Sequence, residues 1–355
     1  RRGMFNFDQI SFQYYKDRTV SLEAFKAGEF DFFYENHSKR WARDHAGLNY
    51  ANGKIIKTTI AHSNNAGMQG IVFNTRRPLL QDRRVRQALG LAMDFEWSNR
   101  NLFYGQYTRC DSFFSNSELA ARGLPSAAEL KLLEPFRDQL PPEVFTQVYR
   151  PPSAENSQAL RANLVQAKNL LAEAGWTIHD GILKSKDGQV FEFEILLGQK
   201  GFERIMAPYV YNLRKLGVQA SYRTIDAALY QRRVDTFDFD AVIEVFGASQ
   251  SPGNELFNMF HSSSAKQEGS GNAMGVSSPV VDALVEKIVY AQSREQLITA
   301  THALDRVLLW GYYLVPNWYI ANHRIAYWDY FDYPKNFPLY FEADPWVLKT
   351  WWRKS

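Results

Sequence analysis

The residues best suited to chemistry form one short polar segment, residues 247–251, with the sequence GASQS. It follows the apolar run at residues 239–246, and a serine directly after a buried strand resembles the start of a nucleophile elbow, G-x-S-x-G. The second glycine is absent, and Pro252 and Gly253 stand where the elbow needs a helix to begin. Serine hydrolysis by Ser249 therefore stays an alternative.

The same segment is well composed for binding a ligand. Ser249, Gln250 and Asn254 carry neutral hydrogen-bonding groups, and Phe246 could offer a ring face. Ligands of α/β sheets lie beyond the carboxyl ends of strands, so these residues are predicted to contact a ligand such as a peptide backbone. An ordinary polar turn is the alternative for each of them.

Other residue patterns argue against a metal or nucleotide site. The seven histidines lack H-x-x-x-H spacing, and the single Cys110 excludes both an intrachain disulfide and a thiolate cluster. Gly269 and Gly271 begin a dinucleotide-type fingerprint but lack its later glycine. Glu192 and Glu194 lie two apart on a predicted strand and share its polar face, which disfavours an acid/base pair. We expect no cofactor and no metal.

Composition limits the class of protein further. A chain of 355 residues with 45% hydrophobic and 15% aromatic residues is too rich in apolar groups for disorder and long enough for two lobes. Its net charge of +3, from 41 basic and 38 acidic residues, is too balanced for nucleic-acid binding. No apolar run approaches the ~20 residues that cross a bilayer. Without an initiator Met or a signal peptide, the chain is expected to be processed or truncated.

Alternating strands and helices must position the candidate residues, which predicts an α/β fold with a largely parallel or mixed sheet. The strands are predicted at residues 9–15, 29–33, 70–74, 218–225, 239–246 and 318–320. The helices are predicted at residues 19–26, 82–92, 156–174, 206–216, 227–234, 279–292 and 294–310.

Three intervening segments have their own signatures. Asp187 and Gly188 predict a hairpin that joins residues 181–183 to residues 190–195. Residues 120–157 contain six prolines and no sustained period, which predicts an extended surface connection. Residues 261–275 are rich in Ser, Gly and Asn and are predicted to be mobile.

Longer motifs resemble a known family. The run NTRRPLLQDRRVRQAL at residues 74–89, with AMD at 92–94, resembles the signature of the peptide-type (cluster C, family 5) solute-binding proteins of ABC transporters. LEAFKAGEFD at 22–31, AKNLLAEAG at 167–175 and LGV at 216–218 agree with it. FEWSN, LFYG and YTR, between residues 95 and 109, resemble the Yej-type branch, which is associated with oligopeptides and microcin C. The resemblance covers nearly the whole chain.

This resemblance implies a periplasmic-binding-protein-like two-lobe fold (type II, cluster C), with lobe II complete and lobe I partial. Residues 1–74 and 318–355 would belong to lobe I, and residues 75–317 to lobe II. Ligand would bind between the lobes, and closure would use hinges near Phe73 and Asn74 and near Pro316 and Asn317.

The implied function is that of the substrate-binding component of an ABC importer, which is not an enzyme. Such a protein captures peptides in the periplasm and delivers them to a permease in the inner membrane. A separate chain that carries the rest of lobe I is a further candidate partner, and no nucleic acid is expected. The alternative among binding proteins is a non-peptide solute, namely an opine, a sugar or a nickel chelate, because the family fixes architecture better than ligand.

The chain departs from the family at the ligand's amino terminus. Dipeptide- and oligopeptide-binding relatives place an aspartate after the strand that ends near Phe246, whereas this chain has Ser249 or Gln250 there. A charge-assisted anchor is lost at that point. Backbone contacts, or the carboxylate of Glu255, are predicted to take its place.

Three further residues complete the predicted ligand contacts. Tyr104 and Tyr107 are candidates for the cleft or the lobe surface. Arg109 could pair with a carboxylate or phosphate of the ligand, and a structural salt bridge is its alternative.

Overall fold

The structure is a computed structural model that describes residues 3–354, and these divide into two compact units. Unit 1 contains the described residues up to Asn64, the segment Asn101–Gln106, and the residues from Ile320 onward. Unit 2 contains Asn65–Arg100 and Tyr107–Tyr319. The chain therefore changes unit after residues 64, 100, 106 and 319. The sequence suggested lobe boundaries at residues 74 and 317.

Strands and α-helices alternate along the chain. The strands are β1 (Phe32–Tyr34), β2 (Ile55–Ala61), β3 (Met68–Phe73), β4 (Thr108–Arg109), β5 (Trp176–His179), β6 (Ile182–Ser185), β7 (Glu192–Leu197), β8 (Gln219–Thr224), β9 (Ala241–Phe246), β10 (Leu314–Pro316), β11 (Trp318–Tyr319), β12 (Asn322–Trp328), β13 (Phe331–Asp332) and β14 (Trp352–Arg353). The α-helices are α1 (Arg18–Ala27), α2 (Leu48–Ala51), α3 (Arg83–Leu91), α4 (Phe95–Leu102), α5 (Ala127–Leu133), α6 (Glu143–Thr146), α7 (Ser157–Glu173), α8 (Glu203–Lys215), α9 (Ala227–Asp235), α10 (Glu255–Phe260), α11 (Pro279–Val289), α12 (Arg294–Trp310) and α13 (Ala343–Thr350).

Unit 2 is built on a five-stranded sheet of order β10-β3-β9-β7-β8. Strand β7 is parallel to both β8 and β9, while β3 is antiparallel to β9 and β10, so the predicted mixed sheet is confirmed. Val72, Leu196 and Val242 lie in one core cluster with side chains of α11 and α12. Helix α3 contacts β10 and helix α8 contacts β8. Burial of the sheet explains its long apolar runs.

Local signals in the sequence begin and end the helices as predicted. The side chain of Asp82 accepts a hydrogen bond from the backbone N–H of Arg84 at 2.8 Å, and Asn156 and Ser293 cap α7 and α12 in the same way. Gly28 ends α1 in the left-handed conformation with φ 86°. These boundaries follow from short-range contacts that the sequence itself specifies.

Unit 1 contains a three-stranded antiparallel sheet of order β1-β12-β2. Leu22 and Phe25 of α1 pack with Phe33 and Trp328 in one apolar cluster. A second cluster includes Trp346 of α13 with other aromatic and aliphatic side chains. Much of the aromatic content of the chain is therefore ordinary core.

Two strand predictions are wrong. Residues 9–15 form no strand, because no neighbouring strand hydrogen-bonds to them and Phe12 remains 63% exposed. The predicted hairpin is displaced: β6 pairs with β5 across Asp180 and Gly181, whereas Val190 makes only an isolated bridge to Lys184. Strand β7 is paired with β8 and β9 on its two edges, so neither edge is left for β6.

Two segments are more ordered than their composition predicts. Residues 120–157 contain α5, α6 and a 3₁₀-helix between them, with Leu133 and Val144 fully buried, so the predicted extended surface connection is wrong. Residues 261–275, predicted to be mobile, are tied down through Arg76, which donates hydrogen bonds to the carbonyls of Ala265 and Asn272 at 2.9 and 2.8 Å. Long-range hydrogen bonds, which the sequence does not reveal, order this segment.

Residues 3–354 contain neither a candidate membrane-spanning helix nor a candidate cluster of metal ligands. None of their helices combines the length and the apolar character that a membrane span requires. Within the same residues, no three His, Cys, Asp or Glu side chains come together as metal ligands.

Candidate functional site

The candidate site is the loop at residues 247–253, hereafter the 247–253 loop, which leaves the carboxyl end of β9. Strand β9 runs parallel to β7, so the loops that follow these two strands start from the same edge of the sheet. This edge is where ligands of α/β folds bind. The structure therefore places the predicted segment at the sheet edge that the sequence indicated.

Phe246 lies beneath the loop. Its side chain is 4% exposed, and its ring centroid lies 5.8 Å from that of Phe113 and 5.7 Å from that of Phe260. In this structure the ring packs into the core directly before the loop begins. A ligand contact through its face stays a prediction.

Asp305 on α12 holds the segment that contains Phe113, the ring against which Phe246 packs. Its carboxylate accepts hydrogen bonds from the Ser112 hydroxyl at 2.6 Å and from the backbone N–H groups of Phe113 and Ala121 at 2.8 and 2.9 Å. Asp305 is fully buried, and that burial raises the pKa of its carboxyl to about 6. Three donors around one carboxylate hold the segment at residues 112–121 in a single conformation.

The approach to β3 passes close beneath the loop and requires a glycine. Gly67 has φ +64°, and a Cβ there would come within 2.1 Å of the carbonyl oxygen of Phe246. The neighbouring Asn65 accepts the Gly67 N–H at 3.0 Å and donates its amide to the carbonyl of Ser249, also at 3.0 Å. The first half of the 247–253 loop is thus fixed to the start of β3.

The loop's own polar groups form a compact turn. The hydroxyl of Ser249 accepts the backbone N–H of Ser251 at 3.1 Å, and the carbonyl of Gln250 accepts a hydrogen bond from Arg294. Ser249 is exposed, and no hydrogen bond from a histidine to its hydroxyl occurs among residues 3–354. In the described residues, Ser249 therefore lacks the hydrogen bond to a histidine by which a nucleophilic serine is often activated.

Asn254 and Glu255 follow at the beginning of α10, and both are exposed. One carboxylate oxygen of Glu255 accepts the N–H of Gly253 at 3.0 Å. Its carboxylate therefore lies at the end of the loop, where it stays a candidate for a ligand's amino terminus.

The structure assigns the two tyrosines to different units. Tyr104 belongs to unit 1, has φ 58°, and lies 5.2 Å beneath the guanidinium of Arg43. Tyr107 belongs to unit 2, where its backbone is hydrogen-bonded to the side chain of Asn99 at 2.9 and 3.2 Å. Their roles as ligand contacts stay predictions.

Arg109 is buried and joins two backbone segments of unit 2 by hydrogen bonds. Only 8% exposed, it donates hydrogen bonds to the carbonyls of Pro316, at 3.3 Å, and Pro152. Burial lowers the pKa of this guanidinium. No carboxylate of the described residues pairs with it, so the structural salt bridge is corrected to a pair of carbonyl contacts. Among the described residues, Nη2 of Arg109 has no hydrogen-bond partner.

Sequence reasoning missed the residues that hold the loop. Asn65 lies 184 positions from Ser249, and Arg294 lies 44 positions from Gln250. Neither has a sequence motif, since each looks like an ordinary surface residue. Only Gly67 carried a usable signal, because a glycine just before a buried strand often marks a close backbone approach.

Cys110 lies at the edge of the same core, and it is 1% exposed. Burial raises the pKa of its thiol to about 11. The thiol is therefore unreactive and takes no part in the candidate site.

A protein-family model matches most of the chain. The model described as bacterial extracellular solute-binding proteins, family 5 Middle, matches residues 1–268. The match includes β9, the 247–253 loop and all eight predicted ligand contacts.

Curated relatives match along the whole chain. The chain is 43% identical to an uncharacterized protein, y4wM, of Sinorhizobium fredii (strain NBRC 101917 / NGR234), over 99% of this chain and 53% of that protein. It is 40% identical to the probable peptide-binding protein YejA of Agrobacterium fabrum (strain C58 / ATCC 33970), over 99% of this chain and 57% of that protein. The chain thus spans about half the length of the curated relatives that it matches.

A solved structure shares the fold. The oligopeptide-binding protein AppA of Bacillus subtilis, in complex with a nonapeptide, superposes with a TM-score of 0.68 at 20% identity. The match covers 96% of this chain and 59% of AppA. The two-lobe α/β fold expected from the sequence is confirmed.

Proposed function

This chain belongs to the family 5 bacterial extracellular solute-binding proteins, and we propose that it forms part of the peptide-capturing component of an ABC importer. The observation that carries the proposal is 40% identity, along 99% of the chain, to a protein named as a probable peptide-binding protein. The proposal includes the lobe assignment made from the sequence, with residues 75–317 as lobe II and residues 1–74 and 318–355 in lobe I. It also includes a periplasmic location and an inner-membrane permease as the partner that receives the peptide.

The composition of the 247–253 loop supports a peptide ligand. Ser249 and Asn254 are exposed, and Gln250 is half-buried. Hydroxyl and amide groups can both donate to and accept from a peptide backbone, which is the same in every peptide. A site of this kind selects for a main chain and tolerates varied side chains.

Glu255 is our candidate for the group that meets the ligand's amino terminus. An ammonium group and a carboxylate form a charge-assisted hydrogen bond, which is about twice as strong as a neutral one. We expect a free-amino peptide to bind more tightly than its N-acetylated form, and the difference to vanish in Glu255→Gln. Calorimetric titration of both peptides measures this, and discrimination that persists in Glu255→Gln would remove Glu255 from the site.

Native mass spectrometry tests the function itself. The purified chain is mixed with an equimolar set of tri- to decapeptides and with one opine, one oligosaccharide and one nickel–histidine complex, and is then sprayed gently. We expect peptide-sized mass additions that are released on denaturation. Retention of one of the other solutes, with no peptide retained, would replace the peptide assignment by that ligand class.

A fluorophosphonate probe tests the enzyme alternative on the same material. Such probes label activated serines, and no histidine of residues 3–354 hydrogen-bonds to the hydroxyl of Ser249. We expect no label on Ser249. A labelled Ser249 peptide after digestion would support a hydrolase.

A further inference from the structure

Resting on the proposed function, our inference concerns the residue that fixes the shape of the 247–253 loop: we propose that Arg294 is a positioning residue that holds this loop in its ligand-binding conformation. Arg294 does so through the backbone of Gln250 and need not touch the ligand. Nothing in the family's sequence signature points to it.

The guanidinium of Arg294 connects the loop to two other parts of unit 2. Its Nη1 donates to the carbonyl oxygen of Gln250, while its Nε and Nη2 donate to one carboxylate oxygen of Glu118, the Nε at 3.1 Å. Glu118 is itself held, since Nε2 of His302 donates to its backbone carbonyl at 2.8 Å. The orientation of Arg294 is therefore set by helix α12 and by the segment that precedes α5.

The place of Arg294 on its helix gives an independent reason. It is the first residue of α12, directly after the N-cap Ser293. The N-terminus of a helix carries partial positive charge, so a cation there does not stabilise the helix. Helix α12 is anchored by fully buried side chains such as Leu304 and Leu308, which makes it a rigid support. A cation at this place is better explained by the carbonyl that it binds.

Part of the loop is open to solvent, while Pro252 within it is buried. A Cβ built on Gly247 meets nothing within 4 Å, and Ser249 and Ser251 are exposed. Apart from turn contacts within the loop, its carbonyls are held by Asn65 at Ser249 and by Arg294 at Gln250. Without Arg294, the loop must be ordered when ligand binds, and this cost weakens affinity.

The first experiment compares the whole chain with Arg294→Ala. We expect faster hydrogen–deuterium exchange at the amides of residues 248–251, and an about tenfold weaker affinity for tetra-alanine, which corresponds to ~1.4 kcal/mol. We expect Arg294→Lys, which keeps a cationic donor, to recover part of the loss. Arg137→Ala is the matched control, because Arg137 is a similarly exposed arginine with an ion pair to Glu134 but no contact with the loop.

A double-mutant cycle distinguishes positioning from ordinary structural support. Glu118→Ala leaves the guanidinium unoriented, so it is expected to lose about threefold in affinity, and the double variant should be no weaker than Arg294→Ala alone. Additive losses, or unchanged exchange at residues 248–251 in Arg294→Ala, would overturn the proposal. The amide exchange needs no ligand. Wild-type chain that binds neither tetra-alanine nor the peptide mixture would therefore defeat the proposed function, while the exchange result would still decide the role of Arg294.

Discussion

Two irregular segments of unit 2 have almost the same composition and are held in opposite ways. The 247–253 loop and the 261–275 segment are both rich in Ser, Gly and Asn or Gln. In the first, exposed side chains surround a backbone that is held at two carbonyls by Asn65 and Arg294. In the second, the polar side chains of Ser264, Ser270 and Asn272 are buried and hydrogen-bonded. This difference agrees with the prediction that the 247–253 loop contacts a ligand.

The anchors of the 261–275 segment are the half-buried Arg76 and the fully buried Asn272. The guanidinium of Arg76 lies 3.6 Å from the ring centroid of Phe237 and binds backbone carbonyls of the segment. Asn272 is 0% exposed and exchanges two hydrogen bonds with the backbone of Val276, at 2.9 and 2.8 Å. The polar groups that this segment buries are already paired, so they are not available to a ligand.

The largest expected effect comes from removing the anchor of the buried segment. Arg76→Ala leaves the carbonyls of Ala265 and Asn272 without their donor, and we expect a loss of about 3 kcal/mol in the free energy of unfolding. Urea titration followed by circular dichroism measures it. Arg77→Ala is the control, since Arg77 is 41% exposed and should cost less than ~1 kcal/mol. Equal costs for both variants would erase the contrast between the two segments.

The contribution of Asp305 to stability shows whether the residues beneath the 247–253 loop are held as strongly as the 261–275 segment. Its pKa of about 6 lies above the unfolded value of 3.8, so the folded state binds the proton more tightly. The stabilising contribution is full below pH 4 and is lost as pH rises through 6, by roughly 3 kcal/mol for a two-unit shift. We expect Asp305→Asn to lack this pH-dependent part of the free energy of unfolding. Urea titrations from pH 4 to 7 give the slope of the free energy of unfolding against pH for the wild type and for Asp305→Asn. Identical slopes would contradict the prediction.

Matched glycine substitutions should give a smaller difference. Gly275 has φ +73°, and a Cβ there would lie 2.9 Å from both Nη1 of Arg76 and Oγ1 of Thr75, so Gly275→Ala should destabilise the fold by about 2 kcal/mol. Gly247 has open space around it, so Gly247→Ala should change stability by less than ~1 kcal/mol. Thermal unfolding of the two variants checks the order, and a larger loss for Gly247→Ala would reverse our interpretation.

The smallest effect on stability is expected for Ser249→Ala. Its hydroxyl is exposed, so the change in the free energy of unfolding should stay within ~0.5 kcal/mol, while affinity for tetra-alanine should fall about fivefold through loss of one hydrogen bond. Ser263→Ala is the counterpart in the other segment and should leave affinity unchanged. Calorimetry of both variants measures this, and equal affinities would exclude Ser249 from the site.

Features set by neighbouring residues could be predicted from the sequence. The caps Asp82, Asn156 and Ser293 and the left-handed Gly28 act within one helical turn, so their helices were predicted to within a few residues. The position of the 247–253 loop also followed from sequence, because the strand before it is continuous and apolar.

Features set by distant residues could not. The strand expected at residues 9–15 has the right alternation but no partner, and alternation alone cannot supply one. The order of residues 261–275 depends on Arg76, nearly 200 positions away. The contacts of Asn65 and Arg294 with the 247–253 loop span 184 and 44 positions, so the sequence located the loop but not the residues that hold it.

The buried thiol of Cys110 makes this chain suitable for a fluorescent sensor. Because its pKa is raised to about 11 and its side chain is 1% exposed, a maleimide dye at neutral pH will not reach it. A cysteine placed by Asn254→Cys would then be the one labelled position, without removal of the native residue. The dye would stand beside the 247–253 loop, and a solute that binds at the predicted site would change its surroundings and therefore its emission.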